Sequence, residues 1–140
     1  SIGLDRMFLA VFSNALTEEE LDNNTTRTVL KLPAVLAPTK AAILPLVKKD
    51  GLPEVAKQIV ADLRWDFNVF YDEKDAVGKR YRRQDAAGTP FCITVDHNTL
   101  EDNSVTMRHR DTMEQKRVKI EDLKDLIKAE VDVKHWLMKM

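Results

Sequence analysis

Val69-Phe70-Tyr71, then Val77-Gly78-Lys79-Arg80-Tyr81-Arg82-Arg83-Gln84-Asp85-Ala86-Ala87-Gly88, then Phe91-Cys92-Ile93-Thr94-Val95: these three successive segments decide how the chain folds. The first is a short β-branched and aromatic run, and the last is an unbroken apolar run of strand length. The polar segment between them ends on a glycine, the residue that most readily takes the left-handed conformation that closes a helix. Strand, helix, strand in that order predicts a parallel pair joined by a right-handed crossover.

The same reading extends in both directions. Upstream, Ala41 to Val47 is an apolar run interrupted by Pro45, which places the end of a strand buried on both faces near Leu44. Asp50-Gly51-Leu52-Pro53 is a turn into a helix with proline in its first turn, and Leu52, Val55, Ala56, Ile59, Val60 and Leu63 keep helical spacing. Downstream, Glu101-Asp102-Asn103 suits a hairpin turn into Ser104–Arg110, where Val105, Met107 and His109 alternate with Thr106, Arg108 and Arg110. Lys116 to Ile120 is placed as the next strand, and Leu123, Leu126, Ile127 and Val131 describe a closing helix. The predicted class is α/β: a mixed, mainly parallel five-stranded sheet flanked by helices. An N-terminal helix precedes it, with Leu4, Met7, Phe8, Val11, Phe12 and Ala15 on one face. Residues 17–33 read as a short helical turn, from the capping-box spacing of Thr17 and Glu20, and an irregular connector through Asp22-Asn23-Asn24-Thr25-Thr26.

Composition narrows the classes. A chain of 140 residues with 44% hydrophobic content is the size of one domain that folds without staples. Its single cysteine, Cys92, forms no internal disulfide, and no apolar run approaches the ~20 residues of a membrane helix. A soluble, cytoplasmic domain is expected. The chain begins at Ser1 inside an amphipathic pattern with no signal-peptide features, and is expected to be a fragment. Cys92 falls within a buried strand, where a free cysteine acts as a small hydrophobe rather than a nucleophile. His97, His109 and His135 lack metal-ligand spacing, so no metal is expected. Gly78 and Gly88 lack the surroundings of a phosphate-cradling loop. The tail Val133–Met140, with Trp136, is expected to cover the chain's own core.

Charge supplies the functional signal. The formal net charge is only −1, yet residues 74–83 hold Lys74, Lys79, Arg80, Arg82 and Arg83 against Asp75, a local balance of +4. Residues 108–119 hold Arg108, Arg110, Lys116, Arg117 and Lys119 against Asp111 and Glu114, a balance of +3. Arginines on a helix face or an edge strand are often only solvated charges. Two such clusters converging on one sheet instead suggest a surface that meets a phosphate backbone, arginine's planar fork reading and lysine's point charge positioning.

These residues resemble a known family. Tyr81-Arg82-Arg83-Gln84-Asp85, Gly88-Thr89-Pro90-Phe91-Cys92-Ile93-Thr94-Val95-Asp96, Thr99-Leu100-Glu101-Asp102 and Val105-Thr106-Met107-Arg108-His109-Arg110-Asp111-Thr112-Met113-Glu114-Gln115 look like the C-terminal anticodon-binding domain of homodimeric glycyl-tRNA synthetases. The likeness includes Leu32-Pro33-Ala34-Val35-Leu36-Ala37-Pro38 and Leu44-Pro45-Leu46-Val47-Lys48-Lys49-Asp50-Gly51, and so nearly the whole chain apart from the connector and the last ten or so residues. Ser1-Ile2-Gly3-Leu4-Asp5-Arg6 resembles the end of motif 3 of class II aminoacyl-tRNA synthetases, whose arginine, matched here by Arg6, contacts ATP. Ala86-Ala87 and His109 depart from the family's pattern, and no role carries over to them.

The resemblance implies two parts: residues 1–31 as the end of a class II catalytic domain and residues 32–140 as an anticodon-binding domain. The implied partner is the anticodon loop of glycine tRNA. The implied parent enzyme is a homodimeric glycine–tRNA ligase using ATP with Mg2+, while the fragment itself holds no cofactor and is not catalytic. Glycine anticodons carry two cytosines, whose pairing edge offers an amino donor to an acid and acceptors to an arginine, with an aromatic ring free to stack. The expected tRNA contacts are Lys48, Lys49, Glu54, Arg80, Tyr81, Arg83, Asp85, Arg108 and Arg110, with Tyr71 as a further stacking candidate. Two other readings stand beside this one: a free-standing paralogue serving as a nucleic-acid-binding accessory subunit, and a protein-interaction module.

Overall fold

The structure, a computed structural model, describes residues 16–20 and 26–131. Strands β1 (Leu16–Glu20) and β2 (Thr26–Leu30) pair antiparallel, with Glu18 opposite Thr28 and Glu19 opposite Arg27. This corrects the helical turn and connector expected across residues 17–33. Alternation overrides the capping-box spacing: Arg27 and Val29 are buried while Thr26 and Thr28 are exposed, the period of a half-buried strand. Thr17 caps no helix and instead donates across the hairpin to the Val29 carbonyl at 3.4 Å. The helix expected over Leu4–Ala15, with Arg6, and the tail Val133–Met140 lie outside the described residues.

A short 3-10 turn, Ala34–Leu36, leads into the main sheet. Strand β3 (Ala41–Pro45) runs parallel to both β4 (Val69–Tyr71) and β5 (Phe91–Val95), placing Ala41 opposite Val69 on one side and Phe91 on the other. Strands β6 (Ser104–His109) and β7 (Gln115–Lys119) add antiparallel, giving the order β4-β3-β5-β6-β7. This is the mixed five-stranded sheet that the sequence predicts. Every residue of β3 and β5 is buried, which explains why both read as continuous apolar runs rather than alternating ones. Pro45 has no N–H to give, and it closes β3; the next residue, Leu46, donates to the Val95 carbonyl at 2.8 Å.

Helices cover both faces. Helix α1 (Leu52–Leu63) packs Leu52, Ala56, Ile59 and Leu63 against Ala41, Ile43, Phe91 and Ile93, and shares that core with Leu123 and Ile127 of the closing helix. Helix α2 (Val77–Ala87) lies on the opposite face, where Tyr81 packs over Ala42, Leu44 and Cys92. The turn expected before β6 is a helix, α3 (His97–Asp102), with Asn103 taking the left-handed conformation after it. Asp96 and Thr99 dictate that helix: the Asp96 carboxylate accepts from the Thr99 amide at 3.2 Å, and the Asp96 amide donates to Thr99 Oγ1 at 3.1 Å. Helix α4 (Leu123–Val131) ends the described chain.

Gly88 closes α2 in the left-handed conformation, at φ +83°. A Cβ there would stand 3.0 Å from Leu30 Cδ2, so the glycine also lets β2 lie close against the end of α2. Gly88→Ala is expected to destabilise by about 2 kcal/mol, combining left-handed strain with a displaced Leu30. Gly78 lies in the first turn of the same helix, with ordinary φ and open space beside it, and Gly78→Ala should stabilise by about 0.5 kcal/mol. Urea unfolding of the two variants side by side checks both signs.

Candidate nucleic-acid interface

The topology collects one edge of the molecule. β3, β4 and β5 run in the same direction, so the residues that follow them, 46–51, 72–76 and 96, emerge at one end of the sheet. β6 starts and β7 ends there too, since Ser104 pairs with Lys119. Open α/β sheets bind ligands outside the carboxyl ends of their parallel strands. At this edge Lys48, Lys49, Lys74, Arg83, Arg117 and Lys119 are all exposed, and Glu54 stands exposed in the first turn of α1. His97 Nε2 lies 2.9 Å from Asp50 Oδ2, bridging α3 to the loop after β3.

The predicted contacts divide sharply by burial. Lys48, Lys49, Glu54 and Arg83 are available to a partner. Arg83 is held in place rather than free, donating to Asp72 and to Asp75 at 2.8 Å each with its side chain 40% exposed. Arg80, Asp85, Arg108 and Arg110 are not available, and here the structure corrects the expectation. Each is at most 3% exposed.

The internal partners of those four residues give the physical reason. Asp85 accepts from Arg108 at 2.8 and 3.1 Å, in the two-pronged geometry of a guanidinium on a carboxylate, and from Arg27 of β2 at 3.0 Å. Arg82 reaches it more distantly, at 3.7 Å from α2's exposed side. Arg27 also donates to Glu19 at 2.9 Å and to the Arg110 carbonyl at 2.8 Å. Burial weakens the charge on Arg108, but the hydrogen bond and field of Asp85 more than offset this and hold it firmly protonated. Arg110 donates to the carbonyls of Gly88, at 2.8 Å, and Leu32, at 2.6 Å, and to Asp111 beside it. Arg80 donates to the carbonyls of Pro45, Asp72 and Leu46 at 2.6, 3.1 and 3.2 Å. The +4 and +3 balances therefore overstate the charge presented to solvent, because spacing along a chain does not distinguish a cation facing water from one facing a buried carboxylate.

The aromatic candidates are also engaged. Tyr81 is half-buried, its hydroxyl 2.7 Å from Thr94 Oγ1 and its ring face 4.7 Å from the Arg108 guanidinium. Burial raises its pKa against the opposing hydrogen bond from Thr94. Tyr71 donates to Glu73 at 2.6 Å, and Lys57 lies 5.6 Å over its ring. Cys92 is 1% exposed, and burial pushes its thiol up to about 12, far from the range of a nucleophile.

Sequence reasoning missed Arg117 as a site residue. It lies on β7 opposite Thr106, donates to both oxygens of Asp96 at 2.6 and 2.9 Å, and also reaches Ser104 and Thr106. Arg117 holds the Asp96 carboxyl below the usual carboxylate range. The signal for it was the capping pair Asp96 and Thr99, which fixes an acid at the strand end that β7 must pass.

Comparison with known proteins agrees with this architecture. The chain is 58% identical over 127 residues to a protein named glycine–tRNA ligase from Rhodopirellula baltica, a match covering 88% of this chain and 24% of that protein. It is 50% identical over 131 residues to one of the same name from Borrelia hermsii, covering 94% of this chain and 29% of that protein. The chain thus spans about a quarter of the length of these relatives. Among solved structures, the RNA binding domain of threonyl-tRNA synthetase from Cryptosporidium parvum superposes with a TM-score of 0.64 at 27% identity, over 71% of this chain and 25% of that one. Residues 40–130, running from the start of β3 almost to the end of α4 and carrying the whole exposed cationic edge, match the family model described as anticodon binding domain, and the chain belongs to that family.

Proposed function

We propose that this protein is the anticodon-reading part of a glycine–tRNA ligase, an enzyme that joins glycine to its tRNA with ATP. The observation that supports this most is identity above one half, sustained over 127 residues, with a relative bearing that name. Residues 32–140 form the reading domain, and residues 1–31 form the end of the catalytic part. The parent enzyme is a cytoplasmic homodimer. ATP and Mg2+ belong with the catalytic part, where Arg6 meets ATP. Among the described residues no group of three or more His, Cys, Asp or Glu could hold a metal ion. Also among the described residues, no helix is long and apolar enough to cross a membrane. The names of the relatives favour the ligase over a free-standing accessory subunit.

In this reading the exposed edge does the work. Lys48 and Lys49 neutralise phosphates of the anticodon loop. Arg83 presents guanidinium N–H groups to base edges while Asp72 and Asp75 hold it in orientation, Glu54 accepts from a cytosine amino group, and Arg117, whose five N–H donors are taken by Asp96, Ser104 and Thr106, holds Asp96 at the edge. Asp85, Arg108 and Arg110 lie toward the other end of the sheet, where β5 begins and β6 ends, and tie the hairpin, α2 and β6 together.

The test is a titration of the protein with a glycine tRNA transcript followed by fluorescence anisotropy. If four of the edge cations meet phosphates of single-stranded RNA, raising salt from about 50 to about 200 mM lowers affinity by about 50-fold. Replacing the anticodon cytosines should weaken binding by roughly 1 to 3 kcal/mol per base. Binding indifferent to both salt and anticodon would rule the reading out.

A further inference from the structure

Arg80 is the least expected residue of the domain. Its guanidinium is buried, yet among the described residues no carboxylate pairs with it, and its Nε has no hydrogen-bond partner. A buried cation so incompletely compensated adds little to stability, and an apolar side chain of similar volume would often serve the fold as well. What Arg80 does is geometric. From α2 it donates to Pro45 and Leu46, where β3 gives way to the loop carrying Lys48 and Lys49, and to Asp72, where β4 gives way to the loop carrying Lys74. These carbonyls lie at strand ends, and one guanidinium joins both loops through them. The charge also sits behind the exposed lysines, where solvent ions screen it less than they screen the lysines themselves.

We propose that Arg80 is a positioning residue for RNA binding: it touches no nucleotide and instead fixes the loop after β3 so that Lys48 and Lys49 face the phosphates together. This rests on the proposed function above. Preorganising two flexible cations is worth about tenfold in affinity.

The experiment is a cycle in the full chain, using a glycine tRNA transcript: Arg80→Lys, the Lys48→Ala and Lys49→Ala pair, and all three substitutions together. Arg80→Lys keeps the charge and loses the fork, so it is the variant most apt to stay folded, which thermal melting checks. The expected result is a loss of about tenfold for Arg80→Lys alone and almost none when Lys48 and Lys49 are already alanine. An equal loss in both backgrounds, or no loss in either, overturns the proposal. Amide hydrogen exchange across residues 46–52 is read without RNA. It should quicken in Arg80→Lys while α1 beyond its first turn stays protected, and unchanged exchange in the loop overturns the positioning role even if the variant binds RNA poorly. Failure of the unsubstituted chain to bind the transcript would instead count against the proposed function, leaving the exchange result to decide on Arg80.

Discussion

Asp85→Ala is expected to destabilise the protein by about 3 to 5 kcal/mol, because it leaves the buried guanidinium of Arg108 without a carboxylate and leaves that of Arg27 with Glu19 alone. Both arginine side chains are at most 3% exposed, so neither can turn to water without dragging β6 or the hairpin with it. Against a total stability of about 5 to 15 kcal/mol, such a loss leaves a marginal fold, with a melting temperature lowered by roughly 10 to 20 °C. The contrast is Arg83→Ala: Arg83 and Asp75 are each 40% exposed, and the buried Asp72 keeps the Lys74 amide as a donor, so the loss should be smaller, about 1 to 2 kcal/mol. Melting curves for both variants decide the matter. Asp85→Ala unfolding no more easily than Arg83→Ala would mean that the buried network is not what joins the hairpin, α2 and β6. Because Arg27 belongs to β2 and Asp85 to α2, the same variant should loosen the hairpin first, visible as faster amide exchange in β2 than in β3.

Replacing Lys48 and Lys49 together by alanine is expected to lower affinity for a glycine tRNA transcript by about tenfold near 0.15 M salt and to reduce the slope of log affinity against log salt by about 1.4. The loss should be the same for transcripts with altered anticodons, since a phosphate contact carries no sequence information. Stability should barely change, because both side chains are exposed and neither is ion-paired among the described residues. Arg83→Gln is the counterpart. It keeps a polar side chain on α2 but removes the guanidinium held by Asp72 and Asp75, and its loss should depend on which base is present. A base-dependent loss from the lysine pair, or a uniform loss from Arg83→Gln, would exchange the positioning and reading roles assigned to these residues.

Much of this architecture is legible in the linear order of residues, because its elements are set by local periodicity. The apolar runs of β3 and β5, the spacing from Leu52 to Leu63 and the glycine at position 88 each report a conformation that a few neighbouring residues decide. The two elements misread are those where a local rule competed with a longer-range partner. Thr17 and Glu20 have the spacing of a helix cap, but Arg27 gains more by facing Glu19 across a hairpin and Asp85 of α2 beneath it. Glu101-Asp102-Asn103 has the composition of a turn, but the cap formed by Asp96 and Thr99 starts a helix ahead of it.

Identity, periodicity and composition are properties of the chain alone, and they suffice for the family, the order of strands and helices and the presence of a concentrated positive charge. Which cations face water was decided only by tertiary structure. Asp85 lies 58 positions from Arg27 and 23 from Arg108, and no pattern along the chain reveals that all three meet in a space closed to solvent. Removing a charge from water requires partners on every side, and those partners come from a hairpin, a helix and a sheet strand that only folding brings together. For that reason Arg80, Arg108 and Arg110 are framework, while Lys48, Lys49, Arg83 and Arg117 remain at the surface.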